Sequence, residues 1–387
     1  MRKTVRMLLL FFMLVVLPLL SACAIGGGGS SADDGTDDDA SDDDAADDDS
    51  AGDDDTGESW RIETVDCGPY VGARNSIAVD SDGGAHIAYG LNFLKYAANA
   101  GGAWQIAVVD VGITPDGTFP GFGDVAIDLD SQNNVHIAYI HLTPTYLKYA
   151  TNAAGPWLSA SVESGVNVDC VSMAVRPNDV VDIAYSWFSN LKLVELTSDG
   201  WRKQKVDDSN NLSMTKDAAG NIHIAYDYHY AVESPSGWEI ERIDNSNFRV
   251  SLSIDHNGMA HMTGKQGAGV GIYYATNADG SWQTFQLAPD GGFDSSIGVD
   301  PSGHVHVAYY SPQDYALKYV TNASDWQWET KTLDHVGEYA YEDYPFYHGG
   351  SLWMGDLSLA VDPDGYVHIS YYDAVNQCLK YATNRLK

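Results

Sequence analysis

One phrase occurs seven times along this chain, and no other feature constrains its fold as tightly. The copies read SIAVDSDGGAHIAY from Ser76, VAIDLDSQNNVHIAY from Val125, SMAVRPNDVVDIAY from Ser172 and SMTKDAAGNIHIAY from Ser213. They continue as SLSIDHNGMAHMTG from Ser251, SIGVDPSGHVHVAY from Ser296 and SLAVDPDGYVHISY from Ser358. Six copies carry histidine at one position (His86, His136, His223, His261, His306 and His368), and the third carries Asp182 there. From 86 to 368 is 282 residues in six steps, a mean period of 47. Repeats of about 40–50 residues built from short strands are the mark of propeller blades.

Each unit supplies four strands. The first alternates apolar and polar residues, and an Asp/Gly/Asn-rich turn such as Asp82-Gly83-Gly84 leads into the HIAY strand. A third strand follows at Leu94–Asn99, Leu147–Asn152, Tyr273–Asn277, Leu317–Asn322 and Leu379–Asn384. The fourth begins at a tryptophan (Trp104, Trp157, Trp201, Trp238, Trp282, Trp328) and often ends in Val-Asp or a similar pair. No stretch sustains a helical period. The pattern predicts an all-β fold: a seven-bladed β-propeller of four-stranded antiparallel blades.

The seventh unit stops after its third strand, and a spare fourth strand, Trp60–Asp66, stands before the first unit. Letting the N-terminal strand complete the last blade closes the ring and removes two raw edges. Cys67 ends that leading strand, and Cys378 begins the strand it would pair with. A disulfide across the seam is geometrically feasible, or both thiols stay free; Cys170 has no obvious partner.

The start of the chain reads differently. Arg2, Lys3 and Arg6 precede an apolar run from Met7 to Leu20, the arrangement of a secretory signal over residues 1–22. Leu20-Ser21-Ala22-Cys23 resembles a bacterial lipobox. That resemblance implies a lipidated Cys23 and anchoring at a membrane. No Asp follows Cys23, which by the same resemblance implies the outer membrane, with the domain facing either side. Residues 23–58 hold 14 Asp among Gly, Ser and Ala, and are expected to form an extended, disordered acidic tether. The propeller would occupy 59–387. Beyond the tether, 39 acids face 18 bases, a net charge of −21. Such a surface repels phosphate backbones and argues against nucleic acid as a partner. A monomer is expected.

The units S-x-A-V-D…G…H-I-A-Y…L-K-Y-A-T-N…W are similar to propeller repeats of bacterial lipoproteins and secreted proteins. They are more distantly similar to sialidase-type and lectin-type propellers. The resemblance covers 59–387. It implies fold rather than activity, since such repeats serve binding modules, enzymes and assembly factors alike.

What recurs in every blade is most simply what every blade needs. The six histidines therefore read as structural, and residues such as Trp104, Trp282, Tyr96 and Tyr319 as blade-to-blade packing. The Asp-Gly turns read as turn chemistry. Asp128–Asn133 is the most calcium-like of them, yet it lacks a terminal bidentate Glu. No metal ligand set and no cofactor is otherwise indicated.

Function is expected where the repeat breaks. The links between second and third strands share a face with the links between blades, and two of the latter are enlarged: Val111–Gly123 and His335–Gly355. The second carries Tyr341, Tyr344, Tyr347, His348 and Trp353. Trp187, Tyr228, Tyr310, Tyr315, Tyr372 and Asp373 sit in other links on that face. Aromatic rings stack on sugar C–H patches while acids and amides bond hydroxyls; the same residue types anchor protein partners. The leading expectation is a membrane-anchored, extracytoplasmic, non-catalytic module recognising carbohydrate or envelope protein. A polysaccharide hydrolase or lyase would need paired carboxylates, for which Glu342, Asp343 and Asp373 are candidates. A scaffold for envelope assembly is the third reading. His141, His229 and His348 could meet only if the axis brought distant blades together. No G-x-S-x-G, H-E-x-x-H or dinucleotide fingerprint is present.

Overall fold

A computed structural model describes residues 59–90, 93–111, 122–142, 145–164, 168–209, 211–227, 229–243, 250–265, 271–292, 294–337 and 356–386. Among them, 28 strands form seven four-stranded antiparallel sheets, with no helix. Six sheets are four consecutive strands each. Their inner strands are Asn75–Val79, Phe122–Leu129, Val168–Val175, Ser213–Lys216, Val250–Ile254 and Ser295–Val299. The seventh sheet joins Leu357–Val361, Val367–Asp373 and Cys378–Thr383 to the leading strand, Arg61–Cys67. Every inner strand touches the inner strands of both neighbouring blades, and that of blade seven touches that of blade one. This is the closed propeller that the repeat predicts.

The leading strand pairs from Arg61 opposite Thr383 to Cys67 opposite Cys378, and the two cysteines form a disulfide. The bond closes a loop of 311 residues, so it removes much freedom from the unfolded chain.

Nearly every recurring residue has a fixed structural task. The turn aspartate caps its own turn: Asp80 Oδ1 accepts from the amides of Asp82 and Gly84, and Asp300 Oδ1 from those of Ser302 and His304. Asp130, Asp217, Asp255 and Asp362 repeat this. The other carboxylate oxygen faces the repeat histidine, from 3.1 Å at His86–Asp80 to 3.7 Å at His261–Asp255. The opposite ring nitrogen meets a third-strand tyrosine, as in His86–Tyr96 and His368–Tyr381, both 2.6 Å. In His86, His136 and His368, tyrosine O–H donating to Nδ1 and Nε2–H donating to the carboxylate satisfy both ends; in His223, His261 and His306 the carboxylate lies beyond hydrogen-bond geometry from Nε2. Burial pushes the His223, His261 and His368 pKa values down, which keeps these rings neutral.

The same tyrosine receives the tryptophan of the following blade edge-on. Trp104 meets Tyr381, Trp157 meets Tyr96, Trp201 meets Tyr149, Trp282 meets Tyr230 and Trp328 meets Tyr274. Trp60, on the leading strand, meets Tyr319 and completes the circuit. Blade three has Leu193 at the tyrosine position, and Trp238 packs on the cluster containing it.

Two more contacts tie the blades, and a third joins strands within one blade. The HIAY tyrosine donates to the acid ending the preceding blade's outer strand, and a third-strand lysine reaches that same acid. Tyr89 and Lys95 meet at Asp66, and Tyr371 and Lys380 at Asp334. The repeat asparagine accepts from a second-strand amide, as Asn322 does from Val305. The leading serine of each phrase bridges inner strands: Ser172, Ser213, Ser251, Ser296 and Ser358 accept from the amides of Met214, Leu252, Ile297, Leu359 and Ile77 of the next blade. An inner strand is an open edge, and this hydroxyl satisfies an amide that its own sheet cannot. Blade two has Ala126 there; Asp124 and Asp128 on either side accept from Val171 and Val175 instead.

Blade three explains its missing histidine. Its turn aspartate is replaced by Arg176 and its histidine by Asp182, and these pair at 2.6 Å. The partners are changed and the hydrogen-bonded contact survives. Asp182 is fully buried, so losing Arg176 strands its charge, while losing Asp182 leaves Arg176 with Glu233 as its remaining acid.

Two outcomes follow. Asp182→His alone places an imidazole against Arg176 and costs about 3 kcal/mol in chemical denaturation; adding Arg176→Asp recreates the common pair and recovers most of it. Replacing both Cys67 and Cys378 with alanine lowers stability by up to about 5 kcal/mol without changing the fold, read by circular dichroism and melting.

Candidate functional site

In a meandering four-stranded blade, the second-to-third links and the inter-blade links emerge at the same end. At that end the axis opens into a cavity of about 190 Å³, lined by Arg74, Asp124, Asp169, Cys170, Asn211 and Asp294 with Asp356 and neighbouring backbone. Below it the inner strands surround a second space of about 390 Å³, edged by their serines.

Six of the residues lining the mouth come from one repeat position. Two residues before the phrase serine (Ala126 in blade two) stand Arg74, Asp124, Cys170, Asn211, Arg249, Asp294 and Asp356, one from each blade. Arg249 lies outside the described residues. The phrase serine two positions on is near-constant because the ring needs it; this column varies. That variation was visible in the sequence, but only the inner-strand placement shows that the column converges on the axis.

Arg74 bonds both carboxylate oxygens of Asp356, at 3.1 and 3.3 Å. The Asn75 amide fixes that segment by donating to the carbonyls of Gly72 and Asp356, and the Ser370 hydroxyl donates to its oxygen. Asp124 accepts from the Val171 and Val125 amides at 2.9 and 3.0 Å. Burial, and then the nearby Asp356 carboxylate, push its pKa up to about 6, against the pull of Arg74 and of the bonds from Val171 and Cys170. The mouth therefore pairs a carboxyl that changes charge near neutrality with one held by a guanidinium.

The residues expected from the sequence fall into three groups. Tyr228, Tyr341, Tyr344, Tyr347, His348, Trp353, Glu342 and Asp343, like Cys23, lie outside the described residues. Tyr310 and Tyr372 correct the expectation: both are buried, and the Tyr310 hydroxyl donates to the Tyr372 carbonyl at 3.1 Å and accepts from its amide at 3.0 Å. They join blades six and seven rather than face a ligand. Asp373 is likewise buried. It accepts from the Asn376 amide at 3.1 Å, from the Asn376 side chain at 2.8 Å and from Lys380 at 3.0 Å. Burial alone would raise its pKa, but these bonds hold it below the usual carboxylate range. It closes a hairpin and is poorly placed for acid–base work. Tyr315 and Trp187 remain accessible: Tyr315 is 40% exposed, and Trp187 is half-buried with the Lys192 ammonium 3.8 Å from a ring centroid.

His141 is buried against Phe122 and Tyr146, while His229 stacks on Tyr226. Among the described residues no group of three or more His, Cys, Asp or Glu is arranged to hold a metal. Within 128–133, Asp128 accepts from the Val175 amide and pairs with Lys216, and Asp130 is engaged by its turn and by His136.

No family model matches the chain, and no curated protein does. Solved structures are similar in fold. The SapL1 lectin in complex with alpha methyl fucoside has a TM-score of 0.47 at 14% identity, covering 68% of this chain and 97% of that one. The polysaccharide lyase Uly1 has a TM-score of 0.48 at 10% identity, covering 81% and 90%. TolB from Acinetobacter baumannii has a TM-score of 0.45 at 12% identity, covering 66% and 65%. Likeness at this level carries no functional argument.

The Asp124 environment makes a signed prediction. Its folded pKa lies above its ordinary 3.8, so the folded state binds the extra proton between those values and loses stability as pH rises through the window. Asp124→Asn removes that loss. The variant should melt about 1–3 °C above the parent at pH 7.5, and the gap should narrow below pH 6 and close only as pH falls to about 3.8.

Proposed function

We propose that this chain is a binding module, held at a membrane by lipid on Cys23, that recognises a carbohydrate at the axial mouth of its loop-rich face. One observation carries the reading: the ring's varying column converges on a cavity furnished with acceptors, an amide and a guanidinium. Carboxylates and amides at several azimuths suit a ligand bearing hydroxyls in several directions. The aromatic side chains at the rim, Trp187 and Tyr315 among them, suit stacking on sugar faces. The small volume suits one ring more than a folded protein surface. The acidic spacer ahead of residue 59 would hold the domain away from the bilayer.

A second reading has its own support. Asp124 and Asp356 are neighbouring carboxyls in contrasting environments, a pattern that acid–base enzymes use. If turnover occurs, it belongs at this pair rather than at Asp373.

Glycan-array screening of the full-length protein tests the first reading: specific glycans should bind, and Asp294→Ala should weaken them at least tenfold. Product formation lost in Asp124→Asn with binding kept would favour the second. Capture of envelope proteins with no glycan bound would count against both.

A further inference from the structure

The second-to-third link of blade three is built at a conformational cost that the fold does not require. Trp187 and Asn190 are a directly opposed pair, so the link is two residues, Phe188 and Ser189. Their φ angles are 45° and 60°, the left-handed region that two-residue hairpins normally fill with Asn-Gly. Here the first position carries a large aromatic residue instead. The Asn190 side-chain amide locks the turn by donating to the carbonyls of Trp187 at 3.2 Å and Phe188 at 3.0 Å. Phe188 is 69% exposed, the highest value among the large apolar side chains described. Strain that persists in order to display an apolar ring is a pointer to function.

The neighbourhood gives the display a direction. Trp187 lies against Phe188 with ring centroids 5.9 Å apart, while Lys192 sits over Trp187. Trp187 is paired with Val168, and the next two residues of that inner strand, Asp169 and Cys170, line the axial mouth. Adjacent strands are about 4.8 Å apart, so the hairpin stands roughly one to two strand spacings outward from the mouth along one blade. That offset is on the scale of one or two sugar rings. Resting on the carbohydrate reading above, we infer that the Phe188 hairpin is a stacking subsite continuous with the axial mouth. The ligand is then an oligosaccharide running outward over blade three, not a single sugar.

Charge narrows the class. Among the described residues, the mouth sets Asp124, Asp169, Asp294 and Asp356 against Arg74, on a domain of net charge −21. Uronate or sulfate groups would be repelled there, whereas neutral or amine-bearing sugars would not.

The test is calorimetric titration of the full-length protein with β-1,4-linked N-acetylglucosamine oligomers of one to four units, their de-acetylated forms, and an oligogalacturonate of matching length. Affinity should rise at least tenfold between one and three units, and the uronate should not bind. Phe188→Ala should abolish that rise while leaving the single-unit affinity unchanged, and Phe188→Trp should keep it. Phe188→Gly relaxes the backbone, so it should melt no lower than the parent yet lose the length dependence, which separates binding from folding. Oligomers that bind Phe188→Ala as tightly as the parent overturn the subsite and leave the carbohydrate reading standing. Uronate bound as well as the neutral series overturns the charge selection. Failure of every glycan to bind the parent overturns the reading on which the subsite rests.

Discussion

Six of the seven seams between blades are held by a relay that runs from one blade's turn into the next blade's outer strand. An aspartate caps a turn and orients a histidine, the histidine bonds a tyrosine, and the tyrosine receives a tryptophan. Its members are buried and polar at the same time, so each is satisfied only if its neighbours are placed. Wedge packing supplies most of the apolar burial, but the relay sets how one blade meets the next. The inner-strand serines do the corresponding work at the axis, where sheet edges face one another without a ladder. With these two sets in place, the ring leaves little freedom except at the loop-rich end.

The exchange at Arg176 and Asp182 shows how strictly the relay is kept. Blade three has lost the histidine and the tyrosine, yet it keeps an opposite-charge pair in the same place, and Arg176 also reaches Glu233 of blade four. A relay that served only as decoration would have decayed to neutral side chains. The downward pKa shifts of His223, His261 and His368 fit the same picture, because a charged imidazole there would need desolvation that one carboxylate only partly offsets.

Much of this was legible in the residues themselves. The period, the unpaired fourth strand at Trp60 and the positions of Cys67 and Cys378 together determine the ring and its closing register, because strand pairing is a matter of counting. The histidines and tryptophans were legible as structural by their recurrence alone. The site was less so. Tyr310 and Tyr372 lie in links that topology places on the right face, but both are buried and the Tyr310 hydroxyl bridges to the Tyr372 backbone, and side-chain direction at a strand end does not follow from position. The column from Arg74 to Asp356 was overlooked for the opposite reason. Its residues are unremarkable singly and become a constellation only when seven inner strands bring them to one axis. Phe188 escaped notice because nothing in a Trp-Phe-Ser-Asn string announces a left-handed turn.

The closure has a consequence for the order in which the molecule can form. Six blades consist of neighbouring strands and can assemble as their own residues become available. Arg61–Cys67 is made before all of them, yet its partner is Cys378–Thr383, the last of the described strands. The earliest strand thus waits longest for its partner. Until Cys378–Thr383 has been synthesised it remains an open edge, exposed to wrong partners, and the pairing most distant in sequence is also the one that completes the ring.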